Sequence, residues 1–251
     1  MIKGQVIFIA VYVIADIHGK YDLFMKMLEK IKFQDTDTLY ILGDILDRGP
    51  NPIQVLRKLM EMPNAIPIVG NHELMAVKCL DLLCEEITTE SIKRLDHSFV
   101  ENLLIWQENG GYSTIEELRR CDAQTKNDLI EYIKEFSIYE TLTVNGKKYL
   151  LVHAGLGNFS PQKDIEEYSL HDLVWERADY EKCYFEDMYV VSGHTPTQLI
   201  EKNPRPGFIY QKNHHIAIDC GACFPDGRLA AFCLDTGEEF YVENTKDKED
   251  Y

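Results

Sequence analysis

Five times along this chain an apolar run stops abruptly at a short polar loop that contains glycine. Val6–Ala15 leads into Asp16-Ile17-His18-Gly19, and Leu39–Leu42 leads into Gly43-Asp44-Ile45-Leu46-Asp47-Arg48-Gly49. Ile66–Val69 leads into Gly70-Asn71-His72-Glu73, the run ending at Val152 into His153-Ala154-Gly155, and Tyr189–Val191 into Ser192-Gly193-His194. Short apolar, β-branched-rich runs bounded by glycine read as buried strands. In α/β sheets, ligand sites gather at the carboxyl ends of such strands. The pattern therefore predicts a sheet protein with one polar centre assembled from several loops.

The segments between the first three runs predict helices. Phe24, Met27, Leu28 and Ile31 fall on one stripe of a helix over about 21–32. Pro50 and Pro52 precede a second helix, Ile53 to about Glu61, where proline suits a first turn. A third runs from the Gly70 loop to about Cys84. Strand, polar loop and helix repeated in this way is the signature of βαβ units. From about 85 to 139 the texture becomes charged and helical, a helical insert within a single domain spanning 1–251. Within it, Asn109-Gly110-Gly111 marks a loop, and Thr114 with Glu117 reads as a capping box. Asn145-Gly146 predicts a hairpin turn, Ile209–Asp219 holds one strand, and Thr236-Gly237 turns a closing hairpin.

Charge and cysteine content narrow the partners. With 26 basic and 42 acidic residues the net charge is 26 − 42 = −16. Such a surface repels nucleic acid and anionic membranes, but a small anion can still bind where local cations meet it. The apolar run Gln5–Ala15 behind Lys3 superficially resembles the start of a signal peptide. It is too short to span a bilayer, and it runs directly into Asp16 and His18, so it reads as a first buried strand. Seven cysteines lack a disulfide-framework spacing and read as free thiols in a reducing cytoplasm. Cys220-Gly221-Ala222-Cys223 has redox or zinc spacing but no second pair, and reads as buried inert thiols.

A lone histidine after a strand is usually a satisfied structural residue; five strand ends carrying polar residues are not explained that way. Buried polar groups are costly unless paired, and a metal partners many at once. Asp16, His18, Asp44, Asn71, His153 and His194 make a mixed oxygen and nitrogen set for two divalent ions. That set suits manganese first, with iron or zinc as alternatives, over calcium or magnesium. Two ions roughly 3.5–4 Å apart can clamp a phosphoryl oxygen and activate water.

As a set, the five loops resemble the signature motifs of the phosphoprotein-phosphatase branch of the calcineurin-like metallophosphoesterases, in its compact bacterial and phage form. The likeness runs in order from residue 16 to about 240. It implies an α/β (α+β) fold, a mixed β-sheet sandwich flanked by helices with the site on loops at strand ends. It also implies that Asp16 and His18 hold the first metal, Asp44 bridges, and Asn71, His153 and His194 hold the second. His72, oriented by Asp47, would protonate the leaving oxygen, and Arg48 and Arg177 would grip the phosphate. Attack would be direct, by a hydroxide held between the metals.

The substrate implied first is a phosphoserine or phosphothreonine protein, with other small phosphoesters possible; the alternative is a symmetrical dinucleoside tetraphosphate. The family's protein phosphatases usually carry arginine before the Gly-Asn-His-Glu motif, and here Val69 stands there. The tetraphosphate hydrolases lack that arginine too, but commonly replace the equivalent of Asp47. A non-catalytic phospho-ligand-binding module is the third reading, disfavoured because every ligand position and His72 match. The sequence leaves oligomeric state open.

Overall fold

Alternate residues along the strands face two different apolar clusters. In β1 (Val11–Ile14), Tyr12 and Ile14 join one cluster and Val13 the other. A strand turns successive side chains to opposite faces, so this pattern means a sheet covered on both sides. The computed structural model describes residues 9–85, 88–93 and 95–245. The expected strand residues Val6–Phe8 and the tail beyond Thr245 lie outside them.

After β1 come α1 (Tyr21–Lys30), β2 (Thr38–Leu42), α2 (Pro52–Met60), β3 (Ala65–Ile68) and α3 (Asn71–Cys84). Within one or two residues these are the predicted elements. Phe24, Met27 and Ile31 are buried as the stripe requires, while Leu28 is only partly so. Four helices follow: α4 (Thr89–Lys93), α5 (His97–Glu108), α6 (Tyr112–Leu118) and α7 (Ala123–Lys134). The rest of the chain forms β4 (Tyr139–Val144), β5 (Lys147–Val152), α8 (Leu170–Val174), β6 (Met188–Ser192), β7 (Tyr210–Lys212), β8 (His215–Ala217), β9 (Arg228–Cys233) and β10 (Glu239–Glu243).

Two five-stranded mixed sheets result, in the orders β10-β9-β1-β2-β3 and β4-β5-β6-β8-β7. In the first, β1, β2 and β3 are parallel; in the second, β5, β6 and β8 are. Val13, Leu42 and Phe232 of one sheet share a cluster with Tyr149, Leu151, Val191 and Ile216 of the other. That shared layer is the interior of the sandwich, where each fully buried aliphatic side chain contributes about 1.5–3 kcal/mol. The opposite face of the first sheet is covered by helices through Phe24, Leu56, Met75 and Trp106.

Two local expectations are corrected. The stretch 209–219 holds a hairpin, β7 and β8, rather than one strand, because Asn213 and His214 both take left-handed conformations (φ 50° and 58°) and reverse the chain. Thr114 does not cap a helix: α6 already begins at Tyr112, and the Thr114 hydroxyl is directed to Asp47. Glu117 instead accepts from the Ile53 N–H at 2.7 Å, tying α6 to the start of α2.

Candidate active site

Parallel strands β1, β2 and β3 end side by side, so the loops that follow them converge. Backbone bonds zip the first two together: His18 N–H donates to Asp44 O and Gly19 N–H to Ile45 O, each at 2.8 Å. The third loop is clamped on by Glu73. Its Oε2 accepts from Asp44 N (2.8 Å) and Gly70 N (2.9 Å), and its Oε1 from Ile45 N (2.9 Å) and Leu46 N (3.1 Å). Burial and the nearby Asp44 charge push this carboxyl up to about 7, while the N–H donors pull the other way. Glu73 belongs to the quoted motif, yet nothing in its local sequence shows this role.

The loops are held in costly conformations. Asp16, His18, Asp44, Asp47, Arg48 and His194 all have positive φ, between 43° and 69°. Such geometry costs on the order of 1–3 kcal/mol per residue and persists only where surroundings over-determine it. The glycines explain part of that packing. A Cβ on Gly70 would lie 2.3 Å from Asp44 Oδ1, and one on Gly193 would lie 2.1 Å from Asp16 Oδ2. These glycines let neighbouring loops and carboxylates approach one another.

Five of the six predicted metal ligands, His18, Asp44, Asn71, His153 and His194, come together from both sheets. His18, Asp44 and His72 offer donor atoms within 4.8 Å of one another, and so do Asp44, His153 and His194. Asp44 belongs to both sets, which is the arrangement a bridging carboxylate needs. His18 Nδ1 lies 2.9 Å from Leu46 O, His153 Nδ1 2.6 Å from Leu42 O, and His194 Nε2 3.1 Å from Trp175 O. A carbonyl can only accept, so each of these ring nitrogens carries the proton and donates it. Burial then lowers all three pKa values, His194 to about 3, leaving neutral rings whose second nitrogens present lone pairs.

Those lone pairs converge on other acceptors. His153 Nε2 is 2.9 Å from Asn71 Oδ1 and 3.4 Å from Asp44 Oδ1, and His194 Nδ1 is 3.0 Å from Asn71 Oδ1. With the Asn71 amide oxygen turned inward, acceptors face acceptors with no proton between them. A divalent cation resolves that repulsion, and imidazoles whose other N–H meets a backbone carbonyl are typical metal ligands. The donor set fits the expected metals, with Asn71, His153, His194 and Asp44 as one group.

Asp16 is placed differently. It is buried beside the same cluster and accepts from His194 N–H with both oxygens, at 3.2 and 3.0 Å. Burial, Asp219 and Asp44 together hold its carboxyl well above the ordinary range. Arg48 spans the other group, donating to His18 Nε2 at 2.8 Å and His72 Nε2 at 3.0 Å. Arg177 is exposed at the rim, close enough for its charge to help depress His194 after burial and His153.

His72 is set apart from the other imidazoles. It is fully buried, and its Nδ1 donates to Asp47 Oδ2 at 2.7 Å. Burial pulls its pKa down, but Asp44 and Asp47 outweigh that and hold it above the usual histidine value. Asp47 is itself fixed by the helices: Trp106 Nε1–H donates to its Oδ2 at 2.8 Å, and the Thr114 hydroxyl to its Oδ1 at 2.5 Å. The Thr114 oxygen also accepts from Asp47 N at 3.1 Å. Trp106 and Thr114 lie 59 and 67 residues from Asp47, so no local pattern reveals them.

Two further neighbours escaped the motif reading. Asp219, just past β8, is buried; burial chiefly, and Asp44 after it, raises its carboxyl to about 7. Cys223 lies with its Sγ 3.8 Å from an Arg48 nitrogen, at the edge of the site rather than in an inert core. All seven cysteines are free.

The family is now defined. A calcineurin-like phosphoesterase profile matches residues 9–241, nearly the whole chain, and the chain belongs to that family. It is therefore a hydrolase of the metallophosphoesterase type, a family that uses a dinuclear divalent-metal site. Among its relatives is serine/threonine-protein phosphatase 2 of Salmonella typhimurium, 30% identical over 172 residues, which cover 66% of this chain and 67% of that protein. Another is the symmetrical bis(5'-nucleosyl)-tetraphosphatase of Baumannia cicadellinicola, 28% identical over 230 residues, 89% of this chain and 68% of that protein. Against further tetraphosphatases the match covers less than two thirds of the relative, 50% for that of Nitrosospira multiformis and 56% for that of Coxiella burnetii. A crystal structure provisionally assigned as a diadenosine tetraphosphatase superposes with TM-score 0.65 at 18% identity, covering 96% of each chain; this shows the shared fold. Among the described residues no helix is long and apolar enough to cross a membrane.

Proposed function

We propose that this protein is a phosphomonoesterase acting on phosphoserine and phosphothreonine in proteins. The observation that carries the reading is the buried Asp47–His72 pair, braced by Trp106 and Thr114. An alkoxide is a poor leaving group and departs only when protonated, so a phosphoserine hydrolase needs a well-oriented acid. A nucleoside diphosphate is a weakly basic anion and leaves with far less help. A dyad held by this many fixed donors matches the harder task.

In this reading Asp44, Asn71, His153 and His194 hold one cation, and Asp16 and His18 with Asp44 the other. Bound divalent cations, manganese foremost, supply Lewis-acid polarisation of the phosphoryl group and a water of lowered pKa. Arg48 and Arg177 grip the phosphate oxygens, Arg48 leaving His18 and His72 to do so. With Arg48 gone from its Nε2, His72 takes up a proton there and delivers it to the leaving oxygen, while Asp47 fixes the ring through Nδ1. The helical insert serves as the brace for Asp47 within one catalytic domain.

Val69 is the observation that favours the tetraphosphatase reading, since no arginine stands there to reach the phosphate. Val69 is buried and part of the helix-side core, with its N–H donating to Ser137 O at 2.8 Å. That gives it a structural occupation under either substrate. Turnover with added Mn²⁺ on a phosphothreonine peptide and on diadenosine tetraphosphate, side by side, decides the matter. Preference for the peptide is expected; preference for the dinucleotide would replace this reading with the other.

A further inference from the structure

From the site rim a groove of about 290 Å³ leads outward between the chain after α8 and the loop after β6. Arg177 and Thr195, the residue after His194, stand at its inner end. Its floor belongs to a small apolar cluster distinct from the sandwich core, made of Tyr180, Ile200, Tyr210 and Ala217 with Ala178 packed against it. At its lip is Leu199, 57% exposed and carried on a short turn stiffened by Pro196. A large aliphatic residue held in water on a rigid turn gains nothing for folding.

The walls carry charges that largely cancel. Arg177, Lys202 and Lys212 stand against Asp179, Glu181 and Glu201, and Glu181 is gripped by Lys202 at 3.1 Å and Lys212 at 2.6 Å. On a chain of net charge −16 this is a locally neutral, apolar-floored channel beside the expected phosphate clamp. Two of its lining residues, Tyr180 and Thr195, are more than nine-tenths buried, so they belong to the floor while Leu199 stands out at the lip. The volume lies just below the range typical of whole small-molecule sites, roughly 300–1,000 Å³, and suits one side chain with its adjoining backbone.

We infer that this groove is a specificity subsite that takes an apolar side chain next to the phosphorylated residue of a peptide substrate. The inference rests on the protein-phosphatase reading and adds the feature by which substrates are chosen. One phosphate bound at Arg177 places the neighbouring residue over Leu199 and Ile200.

The test compares kcat/KM for phosphothreonine peptides that differ only in the residues flanking the phosphothreonine, Leu, Gly or Lys, with added Mn²⁺. Each ratio is taken on one protein preparation, so differences in folded fraction cancel. The wild type is expected to favour Leu over Gly by about tenfold, the lower end for a hydrophobic subsite. Leu199→Ser should bring that ratio near one, and Leu199→Glu should turn the preference toward Lys. Peptide turnover with no flank preference, or a preference unmoved by both substitutions, overturns the subsite and leaves the phosphatase reading standing. Turnover of diadenosine tetraphosphate with none of any peptide overturns both.

Discussion

The loops at the strand ends and the helices α5 and α6 both build the candidate active site, in opposite ways. The loops bring the proposed reactive groups, within a few residues of each strand, and Asp16, His18, Asp44, Asp47, Arg48 and His194 sit at left-handed backbone positions that tolerate little change. The helices bring no metal-type ligand to it; they supply Trp106 and Thr114, whose polar side-chain atoms hydrogen-bond Asp47. One region carries chemistry and is locally over-determined. The other carries orientation and reaches its target across some sixty residues of chain. The difference predicts that substitutions in the loops act on rate or metal content by orders of magnitude, while those in the helices act by smaller, graded amounts.

The largest effect should come from His72→Asn. Turnover of an alkyl phosphoester is expected to fall by about two to four powers of ten, with metal content measured by elemental analysis retained. Equal turnover would remove His72 from the proton transfer and leave the loops without their acid. Glu73→Gln comes next. It replaces a carboxylate that accepts four backbone N–H groups with an amide whose NH₂ opposes two of them. Unsatisfied buried groups cost about 1–3 kcal/mol each, so denaturant unfolding should show a loss of about 3 kcal/mol. A variant as stable as wild type would mean the clamp is dispensable.

Trp106→Phe sharpens the comparison from the helical side. It keeps the ring's packing largely in place and removes one N–H from Asp47. A loss of about 1.4 kcal/mol of orientation corresponds to a tenfold fall in kcat, expected with KM little changed. If kcat is untouched, the helices do not position the acid.

The smallest effect concerns His215, away from the loops in the second sheet. Burial lowers its pKa to about 3, and its Nε2 meets Ser192 Oγ at 2.8 Å. The folded protein thus binds fewer protons than the unfolded chain between about pH 3 and 6.5, and stability rises with pH across that window. His215→Gln should flatten the stability-versus-pH slope between pH 4 and 6 by about one proton, and an unchanged slope would show that His215 titrates normally.

The same contrast sets what the sequence could disclose. The loops were legible because each places its polar residues directly after an apolar strand, so Asp16, Asp44, Asn71, His153 and His194 stand out by position alone. The strands and the first three helices were legible because period and glycine boundaries agree. Trp106 and Thr114 were not, since their partner is set by how α5 and α6 pack on the sheet. Thr114 was actively misleading, because Thr-x-x-Glu also spells a helix cap. Asp219 sits after a strand as the others do, but no glycine marks the Asn213-His214 reversal between β7 and β8, so the sequence does not show which strand end brings it to the site. The meeting of Arg48 with His18 and His72, and the depressed imidazoles, follow from burial that no linear pattern records.

The central claim is that the braced Asp47–His72 pair exists to protonate a poor leaving group. The direct measurement is kcat/KM for phosphate monoesters of graded leaving-group basicity, from nitrophenyl to alkyl, in wild type and His72→Asn. The account predicts a shallow dependence for the wild type and a steep one for the variant, the two differing most for alkyl esters and least for nitrophenyl. Parallel lines would mean that His72 gives no proton to the leaving oxygen, and would contradict it.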